Sequence, residues 1–158
     1  MKKIKNIGLL LFLILSTLSF SYQVNYDDVV DIVLRNYPQS RVTKIEISNY
    51  KGKTVYEGET FNKGQKIEFI INVNTGEVYK MDPNYDDEYN PSYNLPITFE
   101  QASKIALDNS FNGRVKSIEL KNIDKKAHYT VEVKEDKSEK EINIDANSGK
   151  ILTIKESI

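Results

Sequence analysis

Arg114-Val115-Lys116-Ser117-Ile118-Glu119 echoes Arg41-Val42-Thr43-Lys44-Ile45-Glu46 at a distance of 73 residues, and that echo decides the fold. The same offset, without a gap, carries Ile32 onto Ile105, Leu34 onto Leu107, Tyr56 onto Tyr129, Glu68 onto Glu141 and Asn74-Thr75-Gly76 onto Asn147-Ser148-Gly149. A constant offset held from end to end marks two copies of one structural unit.

Each copy reads as a helix followed by strands. Tyr26, Val29, Val30, Val33, Leu34 and Tyr37 recur at helical spacing, as do Phe99, Ala102, Ser103, Ala106, Leu107 and Ser110. Thr98 with Gln101 fits a capping box, in which each side chain satisfies a free backbone N–H at the other's position. Asn25 is placed to cap the first helix, and Pro38 and Gly113 mark the two ends. Further on, Ile45 and Ile47, Ile118 and Leu120, Tyr129, Val131 and Val133, and Ile142, Ile144 and Ala146 alternate with polar residues. Period two with one apolar side predicts a sheet that is wet on one face and covered on the other. Gly76 and Gly149 supply the positive φ that the turns before the last strands require. The expected class is α+β: two repeated modules, each one helix packed on an antiparallel sheet of about four strands. A module of about 60 residues has a thin core, so the halves are expected to pack on each other.

The boundaries follow from composition. Residues 1–21 read as a signal peptide: Lys2, Lys3 and Lys5, then an apolar run from Ile7 to Leu18, then Ser19 and Ser21 around Phe20. The run is shorter than the roughly 20 apolar residues of a membrane span. Cleavage after Ser21 would leave no stable membrane anchor, and the absence of Cys excludes a lipid anchor on that residue. Residues 22–81 form the first module, 82–96 an acidic linker rich in Tyr and Pro, and 97–158 the second module. Losing Lys2, Lys3 and Lys5 with an acid-free leader takes the formal charge from −1 to −4. That mild acidity gives no footprint for nucleic acid and no attraction to anionic lipid. With no Cys, the core depends on apolar burial rather than disulfides.

At this point the pattern resembles a known family. Each half is similar to a PepSY domain, through the small residues Ala102 and Ala106 on the helix, the Arg-Val-x-x-Ile-Glu strand entry, Tyr129-Thr130-Val131-Glu132-Val133, and Glu141-Ile142-Asn143-Ile144-Asp145-Ala146-Asn147-Ser148-Gly149-Lys150-Ile151-Leu152. The first half departs from it, with Val29 and Val33 for the alanines and Glu57-Gly58 for Thr130-Val131. The resemblance implies an extracytoplasmic module, periplasmic or extracellular, that binds or restrains peptidases. It brings no catalytic motif, so the implied protein is not an enzyme and works on a partner, with a secreted peptidase as the family's partner class. The oligomeric state is not written in the sequence.

The residue inventory agrees with a binding role. The lone histidine, His128, lies on the polar parity of its strand and reads as a solvated strand residue; a catalytic base needs a positioned partner. Asp82, Asn84, Asp86, Glu88 and Asn90 alternate as calcium-loop ligands do, but Asp87 stands where the turn needs Gly and Tyr93 where a bidentate Glu belongs. No metal and no cofactor is therefore expected. The candidate contact residues are Val55 and Ile70, apolar where the sister module has His128 and Asn143, with Tyr79 beside them. The linker tyrosines Tyr85, Tyr89 and Tyr93 join them, since exposed apolar clusters and tyrosines favour interfaces. Burial against the other module or the linker would explain the same residues. The alternative function is an envelope ligand-binding or sensing module that holds a small molecule or calcium in the cleft between the halves.

Overall fold

A computed structural model describes residues 23–88, 95–123 and 126–158, with the side chains of 84–88 and 123 outside that description. Two copies of one pattern are present. In the first, α1 (Tyr26–Asn36) is followed by β1 (Arg41–Tyr50), β2 (Lys53–Asn62), β3 (Gln65–Asn72) and β4 (Val78–Glu88). In the second, α2 (Phe99–Asp108) is followed by β5 (Arg114–Ile123), β6 (Lys126–Lys134), β7 (Glu139–Asp145) and β8 (Ile151–Ser157).

The helices start where the capping residues predict. The Asn25 side chain accepts from the Asp28 N–H while the Asp28 carboxylate accepts from the Asn25 N–H, and Thr98 and Gln101 form the same reciprocal pair. Tyr26, Val29, Ile32 and Val33 of α1 are buried, as are Phe99, Ala102, Ser103 and Ala106 of α2. Both helices lie on the sheet face formed by Ile45, Tyr56, Phe69 and Ile71 in one half and Ile118, Tyr129, Val131, Ile142 and Ile144 in the other.

The repeat extends to details of geometry. A bulge after Val42 recurs after Val115, and one between Ile70 and Ile71 recurs between Asn143 and Ile144. Val24 N–H donates to the Val73 carbonyl at 3.0 Å, and Ile97 N–H to the Ala146 carbonyl at 3.2 Å. The Tyr56 hydroxyl donates to the Val24 carbonyl at 2.9 Å, and the Tyr129 hydroxyl to the Ile97 carbonyl at 2.8 Å. Gly76 and Gly149, at φ 70° and 73°, turn beneath the tips of Ile32 and Ile105. One difference is compensated: Gly58 stands where the second module has Val131, and the Phe69 ring lies against it where the second module has the smaller Ile142.

The halves do not merely pack together. They share one eight-stranded antiparallel sheet of order β4-β3-β2-β1-β5-β6-β7-β8. The join is β1 against β5, with Lys44 opposite Glu119, Ile45 opposite Ile118 and Glu46 opposite Ser117. Ile118 is the repeat counterpart of Ile45, so a local two-fold axis passes between them.

Two sequence readings change. His128 is 8 % exposed rather than solvated: it sits on an interior strand, opposite Lys121 on β5 and Asp145 on β7. The stretch 82–96 is not all linker, since β4 continues to Glu88 and pairs with β3. Over 82–88 the backbone is therefore extended, and an extended strand sets alternate residues in a row instead of wrapping them around an ion. Asn90 and Tyr93 lie outside the described residues.

Candidate binding surfaces

Val55, Ile70 and Tyr79 come together on the sheet face away from the helices, as their parity requires. Val55 lies opposite Asn72, Ile70 opposite Glu57 and Lys80, and Tyr79 bulges beside them. The Tyr79 hydroxyl accepts from Asn72 Nδ2 at 2.8 Å and from Lys53 Nζ at 3.1 Å. Its ring stacks on Tyr50 with centroids 6.0 Å apart. Val55 and Ile70 are buried, so the chain itself covers this cluster. At the same place the second module carries polar bonds: Thr130 Oγ1 donates to Asn143 Oδ1 at 2.7 Å, and Asn143 Nδ2 to Thr153 Oγ1 at 2.8 Å. Tyr85 falls on β4 by its backbone, and Tyr89 and Tyr93 lie outside the described residues.

The two outer edges of the sheet are unequal. A sheet edge offers unpaired N–H and C=O groups to another strand unless something blocks it. Edge strand β4 carries Pro83, which has no N–H to give, and the acids Asp82, Asp86, Asp87 and Glu88. The counterpart edge β8 has Glu156 in place of the proline and exposes Leu152 (52 %) and Ile154 (47 %). Comparing the two last strands across the repeat would have revealed this from sequence, because the asymmetry lies in Pro83 and the acids around it.

A third feature is the cleft where α1 meets the second module beside the two-fold axis. It encloses about 520 Å³ and is lined by Val30, Leu34, Leu95, Phe99, Leu120 and Tyr129, with Asp27, Asp31 and Arg41 at its polar margin. The helix starts meet here. Asp27 accepts from Thr98 Oγ1 at 3.0 Å and from the Glu100 N–H at 3.2 Å, and the Glu100 carboxylate accepts from the Tyr26 N–H at 3.3 Å. Burial pushes the Tyr26 and Tyr129 hydroxyls well above the ordinary tyrosine range. Tyr56 is pushed up to about 12, by burial first and then by the Glu100 and Asp28 carboxylates. These hydroxyls stay protonated at any physiological pH. Among the described residues, no group of three His, Cys, Asp or Glu side chains could hold a metal ion.

The fold and these surfaces define a class: a tandem of helix-on-sheet modules fused edge to edge. The family profile described as "Peptidase propeptide and YPEB domain" (PepSY) matches twice, over residues 23–82 and 96–155, and the chain belongs to that family. No curated protein matches. A crystal structure of a protein described as a candidate lipoprotein from Clostridium difficile 630 is similar, with a TM-score of 0.62 and 22 % identity over 86 % of this chain and 95 % of that one. At that identity the likeness speaks for the fold. No helix among the described residues is long and apolar enough to cross a membrane.

Proposed function

We propose that this chain is an exported, non-catalytic PepSY protein that acts by binding another protein, with a secreted peptidase as the partner class. The carrying observation is the uneven pair of sheet edges. β4 is closed by Pro83 and acids, while β8 shows Leu152 and Ile154 and, among the described residues, pairs with another strand on one side only. An extended segment of a partner can add to such an edge, gaining affinity from main-chain hydrogen bonds and selectivity from the alternating side chains. Binding in this way would restrain a peptidase by occlusion, and it needs no chemistry from the chain itself. Export is supported by the lysine-apolar-small pattern of residues 1–21.

The test is cleavage of a reporter peptide by a secreted thermolysin-type metallopeptidase from the same culture, with and without the purified protein. Slower cleavage is expected, lost in a Leu152→Lys/Ile154→Lys variant that retains its melting temperature. Unchanged cleavage, or equal slowing by the variant, overturns the proposal.

A second reading rests on the cleft beside α1. Its mixed lining of Leu34, Leu95, Leu120 and Tyr129 with Asp31 at the margin suits a small amphipathic ligand. Saturable protection of the melting temperature by such a ligand, removed by Leu34→Asp, would favour it.

A further inference from the structure

The chain makes one edge-to-edge join within itself, and its open edge repeats the features of that join. In β1 the bulge leaves out Thr43, and the three residues after it, Lys44-Ile45-Glu46, are the ones that meet β5. In β5 the bulge leaves out Lys116, and Ser117-Ile118-Glu119 follow it into the same join. In β8 the bulge leaves out Leu152, and Thr153-Ile154-Lys155 follow. As in the join, the isoleucine is the middle residue. It lies on the helix side of the sheet, directly opposite the buried Ile142. Ile45 and Ile118 are fully buried by their join, whereas Ile154 is 47 % exposed, with Leu152 beside it at 52 %.

We propose that β8 pairs antiparallel with β8 of a second copy of this chain, about a two-fold axis at Ile154. Such an axis, normal to the sheet, keeps the helices of both copies on one face and restricts the register to steps of two. Centred on Ile154, the join sets that residue opposite its own counterpart and Thr153 opposite Lys155, so no charge faces its like. Lys155 is also neutralised within its own chain, by Glu141 at 3.1 Å. Centring on Lys155 would set that lysine against itself, and centring on Thr153 would bring the bulged Leu152 of each copy into the ladder. In the favoured register the Ile154 and Leu152 side chains of both copies gather around the axis and leave water. No proline interrupts β8, and among the described residues it pairs with β7 alone. Assembly closes at two copies, because β4 at the far edge has Pro83 in the place of Glu156, among acids. The dimer does not depend on peptidase restraint, but it uses the same edge, so self-pairing and partner binding exclude each other.

The test is sedimentation equilibrium of the exported protein without any peptidase, paired with cysteine cross-linking in a chain that has no Cys of its own. A reversible monomer–dimer equilibrium is expected, with its dissociation constant raised at least about tenfold by Ile154→Lys at an unchanged melting temperature. Under mild oxidation Ile154→Cys should cross-link to its own counterpart, since directly opposite residues of an antiparallel pair stand about 4.5–5.5 Å apart at Cα, within disulfide reach. Thr153→Cys alone should not cross-link, whereas Thr153→Cys combined with Lys155→Cys should, because those two positions face each other across the axis. A monomer at every concentration, a dimer that Ile154→Lys leaves intact, or cross-linking by Thr153→Cys as ready as that by Ile154→Cys overturns the proposal. Neither measurement involves a peptidase. A dimer without restraint therefore removes the peptidase reading alone, and restraint by a strict monomer removes this one alone.

Discussion

Ile45 lies directly opposite Ile118 across the join of β1 and β5, and each is the other's counterpart in the repeat. Both are fully buried. Only three residue pairs make this join, so these two side chains carry much of its apolar contact. Truncating a buried isoleucine removes its transfer energy and leaves a cavity. Ile45→Ala and Ile118→Ala should each destabilise by about 2–5 kcal/mol. Chemical denaturation of both variants checks this. Because the pair is in contact, the double variant should depart from additivity.

The helix starts brace each other across the axis, through Asp27 on the Glu100 N–H and Glu100 on the Tyr26 N–H. A carboxylate at a helix N-terminus satisfies free donors and meets the favourable end of the helix dipole. Asp27→Ala or Glu100→Ala should each cost about 1 kcal/mol, in the range of a lost cap. Denaturation midpoints read it, with Asp108→Ala as a control that does not lower stability, since it removes an acid from the unfavourable last turn of α2.

A side chain at Gly58 would run into the Lys44 carbonyl and the Phe69 ring. The ring could be exchanged for the isoleucine of the second module, but the carbonyl belongs to the backbone of β1 and has little room to move. Gly58→Ala should therefore destabilise by about 2 kcal/mol or more, as overpacking in a dense core does. Adding Phe69→Ile should recover only part of the loss. Melting temperatures of the single and double variants decide this.

Alkaline stability should depend on the buried tyrosines. Tyr56 is held up to about 12 in the folded chain, against 10.0 for a free tyrosine, and Tyr26 and Tyr129 are raised as well. Above pH 10 the unfolded chain gives up these protons while the folded chain keeps them, so stability falls as pH rises. It is fully present below pH 10 and fades from there upward through about pH 12 for Tyr56. Tyr56→Phe should be less stable at pH 7 by about 1–3 kcal/mol, because the Val24 carbonyl loses its partner. It should also lose stability less steeply above pH 10. Urea titrations at pH 7 and pH 11 measure both effects.

Much of the fold was legible because its signals are local. The caps at Asn25 and Thr98, the apolar stripes of both helices, the turns at Gly76 and Gly149 and the alternation in β1, β5, β6 and β7 are set by residues a few positions apart. The grouping of Val55, Ile70 and Tyr79 on one face was legible for the same reason. Their burial was legible only as an alternative, because it depends on what covers a face: here the Tyr79 hydroxyl, held by Asn72 and Lys53, keeps an aromatic ring stacked on Tyr50 beside them. His128 was misread on the same account. Strand parity gives the face a side chain points to, while its exposure depends on neighbours such as Lys121 and Asp145 that lie on other strands.

By itself the sequence determined that two helix-and-strand units are present, where each helix begins, and which side of β1, β5, β6 and β7 is apolar, since near-neighbour spacing and backbone preference decide those features. Only the tertiary structure decided that β1 and β5 pair into one continuous sheet, that β8 is left as the open edge, and that Ile47 and Leu107 stay in view while Leu120 does not. Those outcomes rest on contacts between residues far apart in the chain, such as Ile45 and Ile118, which form only once a two-fold arrangement has brought the copies together.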